Sequence, residues 1–358
     1  MLYITTFIIF ILNLLFARNK KMLVIDFIFL FILLGWSEGS YDTEIYKLRY
    51  INPEEYKSFT EPLFDFIVNF FNKIGFSYRL FFIVSAIFEL SLIIKFVKKH
   101  TQNFGFVLAV FIIFPMITLF VQMRFLLAFT IVLYFGFDKL ITHEKKYFIK
   151  YIIAILIATM IHYSSIYYII FLAADLFNTK KIIILTAIAT LILSSVTFFS
   201  PILNIITSII GERKVEILLV GSTNVEGNFG RSVFILFIVL GYLLIYYLFL
   251  KNNICKSEDK RFVDITAKCN ILSLTTLPLV YLMSSGFYRI NQSLLILNYI
   301  AISKFLVYKK KGIFTVNELC IIIFTLIYAI ILFFMMYHTE EIYNLVIYPF
   351  FEQNQFLR

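Results

Sequence analysis

Charge is scarce in this chain: Asp, Glu, Lys and Arg make up only 15% of 358 residues, against about a quarter in a soluble domain. Cysteine is scarcer, with three residues. Cys255, Cys269 and Cys320 lack metal-type spacing, and two of them lie in or beside apolar stretches, which argues against a disulfide or a zinc site. No Asp-x-Asp metal motif, Gly-rich phosphate loop or Gly-x-Ser-x-Gly elbow occurs, which argues against a cytosolic nucleotide-sugar enzyme. No segment is large and polar enough to fold as a soluble domain. Met1 runs directly into an apolar stretch, with no basic n-region or small-residue cleavage site of a signal peptide. No strong internal repeat is present, which weakens an inverted-repeat transporter reading.

Hydrophobic residues are what the chain has in abundance, at 61%, with a mean hydropathy of +0.90. Such a composition predicts an all-α, polytopic integral membrane protein, a single membrane domain over residues 1–358. Twelve spans are expected, at about 2–16, 22–36, 80–97, 104–121, 123–141, 147–161, 163–177, 182–199, 231–250, 262–283, 290–308 and 313–337. The formal charge of +10 does not indicate a nucleic-acid partner. Its basic residues fall in short clusters between spans, such as Arg18-Asn19-Lys20-Lys21, Lys98-Lys99, Lys145-Lys146, Lys180-Lys181 and Lys309-Lys310-Lys311. These are topology anchors of the positive-inside kind. Placing them in the cytoplasm puts both termini outside.

That topology leaves two larger outer-face loops, residues 37–79 and 200–230. In the first, Leu63, Phe66, Ile67, Phe70, Phe71 and Ile74 share one helical face, opposed by Asp65, Asn69, Asn72 and Lys73. With Glu61-Pro62 as a start and Gly75 as a stop, an amphipathic helix at the outer interface is expected. The second loop begins at Pro201, carries Gly211-Glu212-Arg213-Lys214 and ends at Arg231. The same topology gathers Asp42, Glu61, Arg79, Arg124, His162, Arg231 and Arg289 at or beyond the outer ends of spans. An Arg at mid-bilayer costs about 2.5–3.5 kcal/mol, so such residues persist where they have a partner or a task. The expectation is a single polar, cation-rich chamber facing away from the cytoplasm.

Three groups of residues in that chamber could carry chemistry. Asp42, Tyr46 and Tyr50 recur every fourth residue, with Glu38 extending the stripe upstream. On a helix they form either a solvated face with interfacial aromatics or a sugar-facing surface, with a carboxylate to bind hydroxyls or act as a base. Gln122 and Arg124 sit between two apolar spans with no real loop. Arg124 heads a helix, so its guanidinium and the helix N-terminus both favour an anion such as phosphate, unless the side chain merely snorkels. Arg231 and Arg289 occupy comparable positions, which strengthens the diphosphate reading. His162, in Ile161-His162-Tyr163-Ser164-Ser165, interrupts an apolar stretch, and a break of that kind lines a cavity. It could be a base, a phosphate donor or a structural residue. Glu89, by contrast, lies mid-span, where an acid marks a buried pair or an ion path.

Read together, Asp42-x-x-x-Tyr46-x-x-x-Tyr50, Glu61-Pro62-Leu63-Phe64, Gln122-x-Arg124-x-x-x-Ala128 and His162-x-Ser164 resemble the EpsG branch of the Wzy-type polysaccharide polymerases. The resemblance is clearest over residues 20–170; beyond them it rests on Arg231, Phe287-Tyr288-Arg289 and Tyr348-Pro349-Phe350. It implies a metal-independent membrane glycosyltransferase without a cofactor. Such an enzyme polymerises repeat units of O-antigen, capsule or exopolysaccharide at the outer face of the bacterial inner membrane. Undecaprenyl-diphosphate-linked oligosaccharide would be both donor and acceptor, with a chain-length regulator as a further partner. An acceptor hydroxyl would attack the donor's anomeric carbon and lipid diphosphate would leave. Arg124 and Arg289, with Arg231 and Gln122, then fall to the diphosphate. Asp42 or His162 is the candidate base, with Glu61 in reserve, and Tyr46, Tyr50 and Glu38 face the sugars. The rivals are a lipid-linked oligosaccharide flippase or exporter, which needs deep charges accessible from both sides, another outer-face transferase such as a ligase, and an acyltransferase.

Overall fold

The computed structural model describes residues 2–38, 40–55, 60–195, 225–254, 256–283, 287–306 and 315–357. Every regular element among them is helical. Among the described residues, four helices are long and apolar enough to cross a membrane: Tyr78–His100, Met123–Thr142, Phe229–Leu250 and Val316–Tyr337. Shorter apolar helices include Leu2–Leu15, Phe104–Ile113, Tyr147–Ile161 and Tyr163–Leu176.

The described chain falls into two compact units, Met1–Ser165 with Ile302–Arg358, and Ile166–Ala301. In the first, α1 (Leu2–Leu15), α2 (Lys20–Gly35), α3 (Tyr41–Ile51) and α4 (Pro62–Lys73) precede the long α5 (Tyr78–His100). Their ends follow local chemistry. Asn19, Ser40 and Ser77 cap α2, α3 and α5 by accepting backbone N–H groups of Lys21, Thr43 and Leu80. Pro62 opens α4 where its missing N–H costs nothing. Gly75 closes that turn at φ +80°, a conformation a side chain would oppose. Next come α6 (Phe104–Ile113) and α7 (Met116–Val121), then α8 (Met123–Thr142) and α9 (Tyr147–Ile161). Gly105 lets α6 cross α1 at backbone contact: a Cβ there would lie 2.6 Å from the Asn13 carbonyl oxygen, and the Gly105 N–H donates to Ala17 O at 2.9 Å.

In the second unit, α10 (Tyr163–Leu176, which begins in the first) and α11 (Thr179–Ser194) precede α12 (Val225–Ile245). Then follow α13 (Ser257–Ser273), α14 (Thr276–Met283) and α15 (Tyr288–Ser303, whose last residues belong to the first unit). A polar layer packs inside it. Asn270 and Asn298 exchange amide hydrogen bonds at 2.7 and 3.1 Å, and Tyr168 shares a hydrogen bond with Ser293 at 2.7 Å. The chain returns to the first unit for α16 (Val316–Tyr337), started by a reciprocal Thr315–Glu318 capping box.

Several expected spans are broken. The run 104–121 divides at Phe114-Pro115, where the proline has no N–H to continue the ladder and Phe114 is extended. The run 262–283 divides between Ser273 and Thr276. Residues 163–172 are 3₁₀ rather than α-helical. Most of the loop at 200–230, with Pro201 and Gly211 to Lys214, lies outside the described residues, as do Cys255 and Lys309 to Lys311.

Candidate functional site

The stripe at Asp42, Tyr46 and Tyr50 is indeed helical, and α3 turns Tyr46, Arg49 and Tyr50 inward. Glu61 caps α4 in position only. Its side chain makes no capping bond, so the carboxylate is free to face its neighbours, and it is 1% exposed. One of its oxygens, Oε2, accepts from Arg124 Nη1 at 2.5 Å and from Arg49 Nη1 at 3.2 Å. The other, Oε1, lies 2.9 Å from His162 Nδ1. Arg49 continues the chain of contacts, donating from Nη2 and Nε to Asp65 Oδ1 at 2.5 and 3.2 Å. Asp65 is one helical turn after Glu61, so two carboxylates share a face of α4 and need a cation between them.

Aromatic rings line the two guanidinium groups. Arg49 Cζ is 4.9 Å and Arg124 Cζ 5.7 Å from the Phe64 ring centre, and Arg124 Cζ is also 5.1 Å from that of Tyr46. At these distances the ring faces attract the cations. His162 ends α9 in an extended conformation, φ −146°, its N–H still donating to Ala158 O at 2.8 Å. Its imidazole sits edge-on to Phe125, with ring centres 5.8 Å apart.

Burial pushes the Glu61 pKa up. The His162 hydrogen bond and the charges of Arg124, His162 and Arg49 outweigh it and hold the carboxyl far below the usual range. Glu61 is therefore an ionised acceptor, which makes His162 Nδ1 the donor. The pairing fixes the proton on Nδ1, and in the neutral imidazole Nε2 is the nitrogen that can take one. The arrangement can hold a proton acceptor and a guanidinium in fixed relation on one carboxylate.

Not every expected residue joins this cluster. Asp42 is half-buried, with no hydrogen bond or ion pair to any described residue, and its charge acts on Arg124. Tyr50 is 4% exposed. Its hydroxyl donates to Phe76 O at 2.7 Å and its ring stacks on Phe81 at 5.3 Å, so it ties α3 to the start of α5. Glu38 pairs with Arg79 at 3.2 Å and Lys47 at 3.6 Å and also contacts Gln355. Gln122 links α7 to α8, with its Oε1 buried and unpartnered among the described residues. Arg231 lies inside α12, past its first turn, and Arg289 in the first turn of α15, both in the second unit.

Arg49 and Asp65 are the members of this cluster that sequence reasoning missed. Arg49 lies three residues after Tyr46, a spacing that could have added it to the stripe. With them, the first unit holds a charge-matched cluster in which the guanidinium groups of Arg49 and Arg124 face the carboxylates of Glu61 and Asp65.

A sequence model described as the EpsG family matches residues 20–350. No curated protein and no solved structure matches the chain.

Proposed function

The chain belongs to the EpsG family and is a multi-pass membrane protein, and from that premise we propose that it is a Wzy-type polymerase. It transfers undecaprenyl-diphosphate-linked oligosaccharide repeat units onto one another at the outer face of the bacterial cytoplasmic membrane, building O-antigen, capsule or exopolysaccharide. The observation that carries this reading is the single buried Glu61 carboxylate that holds both Arg124 and His162.

In the proposed reaction His162 Nε2 takes the proton of an acceptor-sugar hydroxyl. The oxygen forms a bond to the donor's anomeric carbon, and the bond from that carbon to the diphosphate oxygen breaks. Undecaprenyl diphosphate departs with the electron pair, and Arg124 offsets its developing charge. Glu61 orients the imidazole and stabilises the imidazolium, as a buried carboxylate does beside a catalytic histidine. It is too strongly ionised and too fully engaged to be the base itself. Asp42 is the alternative base. Tyr46 and Glu38 line the sugar side, and Tyr50 supports it from behind. Arg231 and Arg289 are assigned to the diphosphate by family resemblance alone. The chemistry as drawn calls on no metal or cofactor. The proposal keeps a single twelve-span domain with both termini outside, and a chain-length regulator as partner.

The test compares cells lacking the gene with cells complemented by wild type or Arg124→Ala, read by polysaccharide gel. The reading requires single lipid-linked units on the outer face of the deletion strain and a ladder restored by wild type alone. Units trapped on the cytoplasmic face would instead make the protein a flippase.

A further inference from the structure

Four buried polar atoms on residues flanking the Glu61 cluster have no hydrogen-bond partner among the described residues: Gln122 Oε1, Arg124 Nε, Ser164 Oγ and Ser165 Oγ. Gln122 and Ser164 are each 6% exposed and Ser165 is fully buried. Buried polar groups are otherwise almost always paired, and each exception calls for a reason. Others lie elsewhere in the helices, as at Glu89 and Asn291, but these four fall on the two short segments that carry Arg124 and follow His162.

The backbone places them. Gln122 heads the helix that carries Arg124, in the capping position, yet makes no side-chain cap. Ser164 and Ser165 form the first 3₁₀ turn after His162, where the Ser165 N–H donates to His162 O at 3.0 Å. Two residues of chain reach at most about 7 Å between Cα atoms. Gln122 is therefore within that reach of Arg124, and Ser164 within that reach of His162, the two groups held by Glu61.

The chemistry of these atoms selects a ligand. Gln122 Oε1 only accepts hydrogen bonds, Arg124 Nε only donates, and a serine hydroxyl does either. A diphosphate oxygen can accept from Arg124 Nε, a serine hydroxyl or the Gln122 Nε2 amide, but it leaves Gln122 Oε1 without a donor. A sugar ring presents neighbouring hydroxyls, each of which donates and accepts, and so satisfies both kinds of atom. We infer that Gln122 and Ser164 form the subsite of the acceptor sugar, gripping hydroxyls next to the attacking one and setting that oxygen against His162 Nε2. This rests on the polymerase reading and moves Gln122 from the diphosphate to the sugar side.

The test uses the full chain in lipid nanodiscs. The donor is the lipid-linked repeat unit extracted from gene-deleted cells, and the acceptor is the same unit freed from its lipid by mild acid. Gln122→Met, close in shape but unable to accept, and Ser164→Ala should each raise the acceptor KM about tenfold and lower the rate at saturating acceptor, while leaving the donor KM near wild type. Gln122→Glu keeps an acceptor and adds a negative charge; a sugar-facing position leaves its donor KM unchanged. A raised donor KM in either Gln122 variant overturns the inference, as does an unchanged acceptor KM in both Gln122→Met and Ser164→Ala. Wild-type turnover with unaltered variants removes this subsite alone. Wild-type protein that makes no polymer from the donor removes the polymerase reading and the subsite with it.

Discussion

His162 Nδ1 lies 2.9 Å from Glu61 Oε1, so the carboxylate fixes which imidazole nitrogen carries the proton. The consequence is directional: Nδ1 is committed, and in the neutral imidazole Nε2 is the nitrogen that can take a proton. Replacing His162 with Gln keeps a hydrogen-bond donor near Glu61 but removes the base. Polymer formation should fall by roughly 10²–10⁴-fold, the usual contribution of a positioned acid–base group, while lipid-linked donor still binds. Retained turnover in single-cycle kinetics would reduce His162 to a structural residue.

Arg124 gives a second expectation. Its Nη1 is bound to Glu61 at 2.5 Å, whereas Nε has no partner among the described residues. A planar guanidinium can hold the carboxylate with one edge and meet diphosphate with another, which an ammonium cannot. Arg124→Ala should abolish the polysaccharide ladder at unchanged membrane protein levels, and Arg124→Lys should restore little of it. Long polymer made by Arg124→Ala would sink the assignment.

Arg49 is expected to matter to the fold before it matters to chemistry. It bridges α3 to α4 through Glu61 and Asp65, and removing it leaves two buried carboxylates facing each other. Losing one partner of such a buried pair typically costs about 3–5 kcal/mol. Arg49→Ala should lower the thermal unfolding midpoint in detergent sharply. Because Arg49 and Asp65 share one interaction, Arg49→Ala combined with Asp65→Ala should cost clearly less than the two single changes added together. Strict additivity would show that the bridge contributes nothing.

The depressed pKa of Glu61 fixes the sign of a pH dependence. Burial alone would raise it, and the His162 hydrogen bond with the Arg124, His162 and Arg49 charges drives it far below its ordinary value of 4.5. A carboxyl lowered in the folded state stabilises above the unfolded value and loses that contribution as pH falls through the folded one. Glu61 should therefore leave stability unchanged between neutral pH and the ordinary carboxylate range, then withdraw it at more acid pH. Glu61→Gln should start less stable at neutral pH and show a smaller acid decline. Equal acid declines in wild type and Glu61→Gln, followed by thermal unfolding across pH, would contradict the pairing.

Much of this site was legible in the sequence where a local rule governs. The Glu61-Pro62 start and Gly75 stop of α4, the helical stripe from Asp42 to Tyr50 and the break at His162 all follow from caps, periodicity and interrupted apolarity. Pairing across elements was not legible. Asp65 reads as one polar residue of an amphipathic helix, and only the packing of α3 on α4 turns it towards Arg49. Hydropathy also misses what happens inside an apolar run. It does not register the turn at Pro115 or the 3₁₀ stretch after His162, because most residues around them are apolar or aromatic.

Glu89 separates the polymerase from an exporter. It is fully buried in the middle of α5, and neither carboxylate oxygen has a hydrogen-bond partner among the described residues. An uncompensated anion at that depth costs several kcal/mol, so residues of this kind persist in transporters as proton or ion carriers. The proposed polymerase mechanism runs through His162, Arg124 and Glu61 and uses no such path. Glu89→Gln preserves shape and cannot carry charge. It should therefore unfold at or above the wild-type temperature and give a normal ladder on a polysaccharide gel. Loss of polymer from a stably folded Glu89→Gln protein, with repeat units held on the cytoplasmic face, would place Glu89 on a translocation path and favour export over polymerisation.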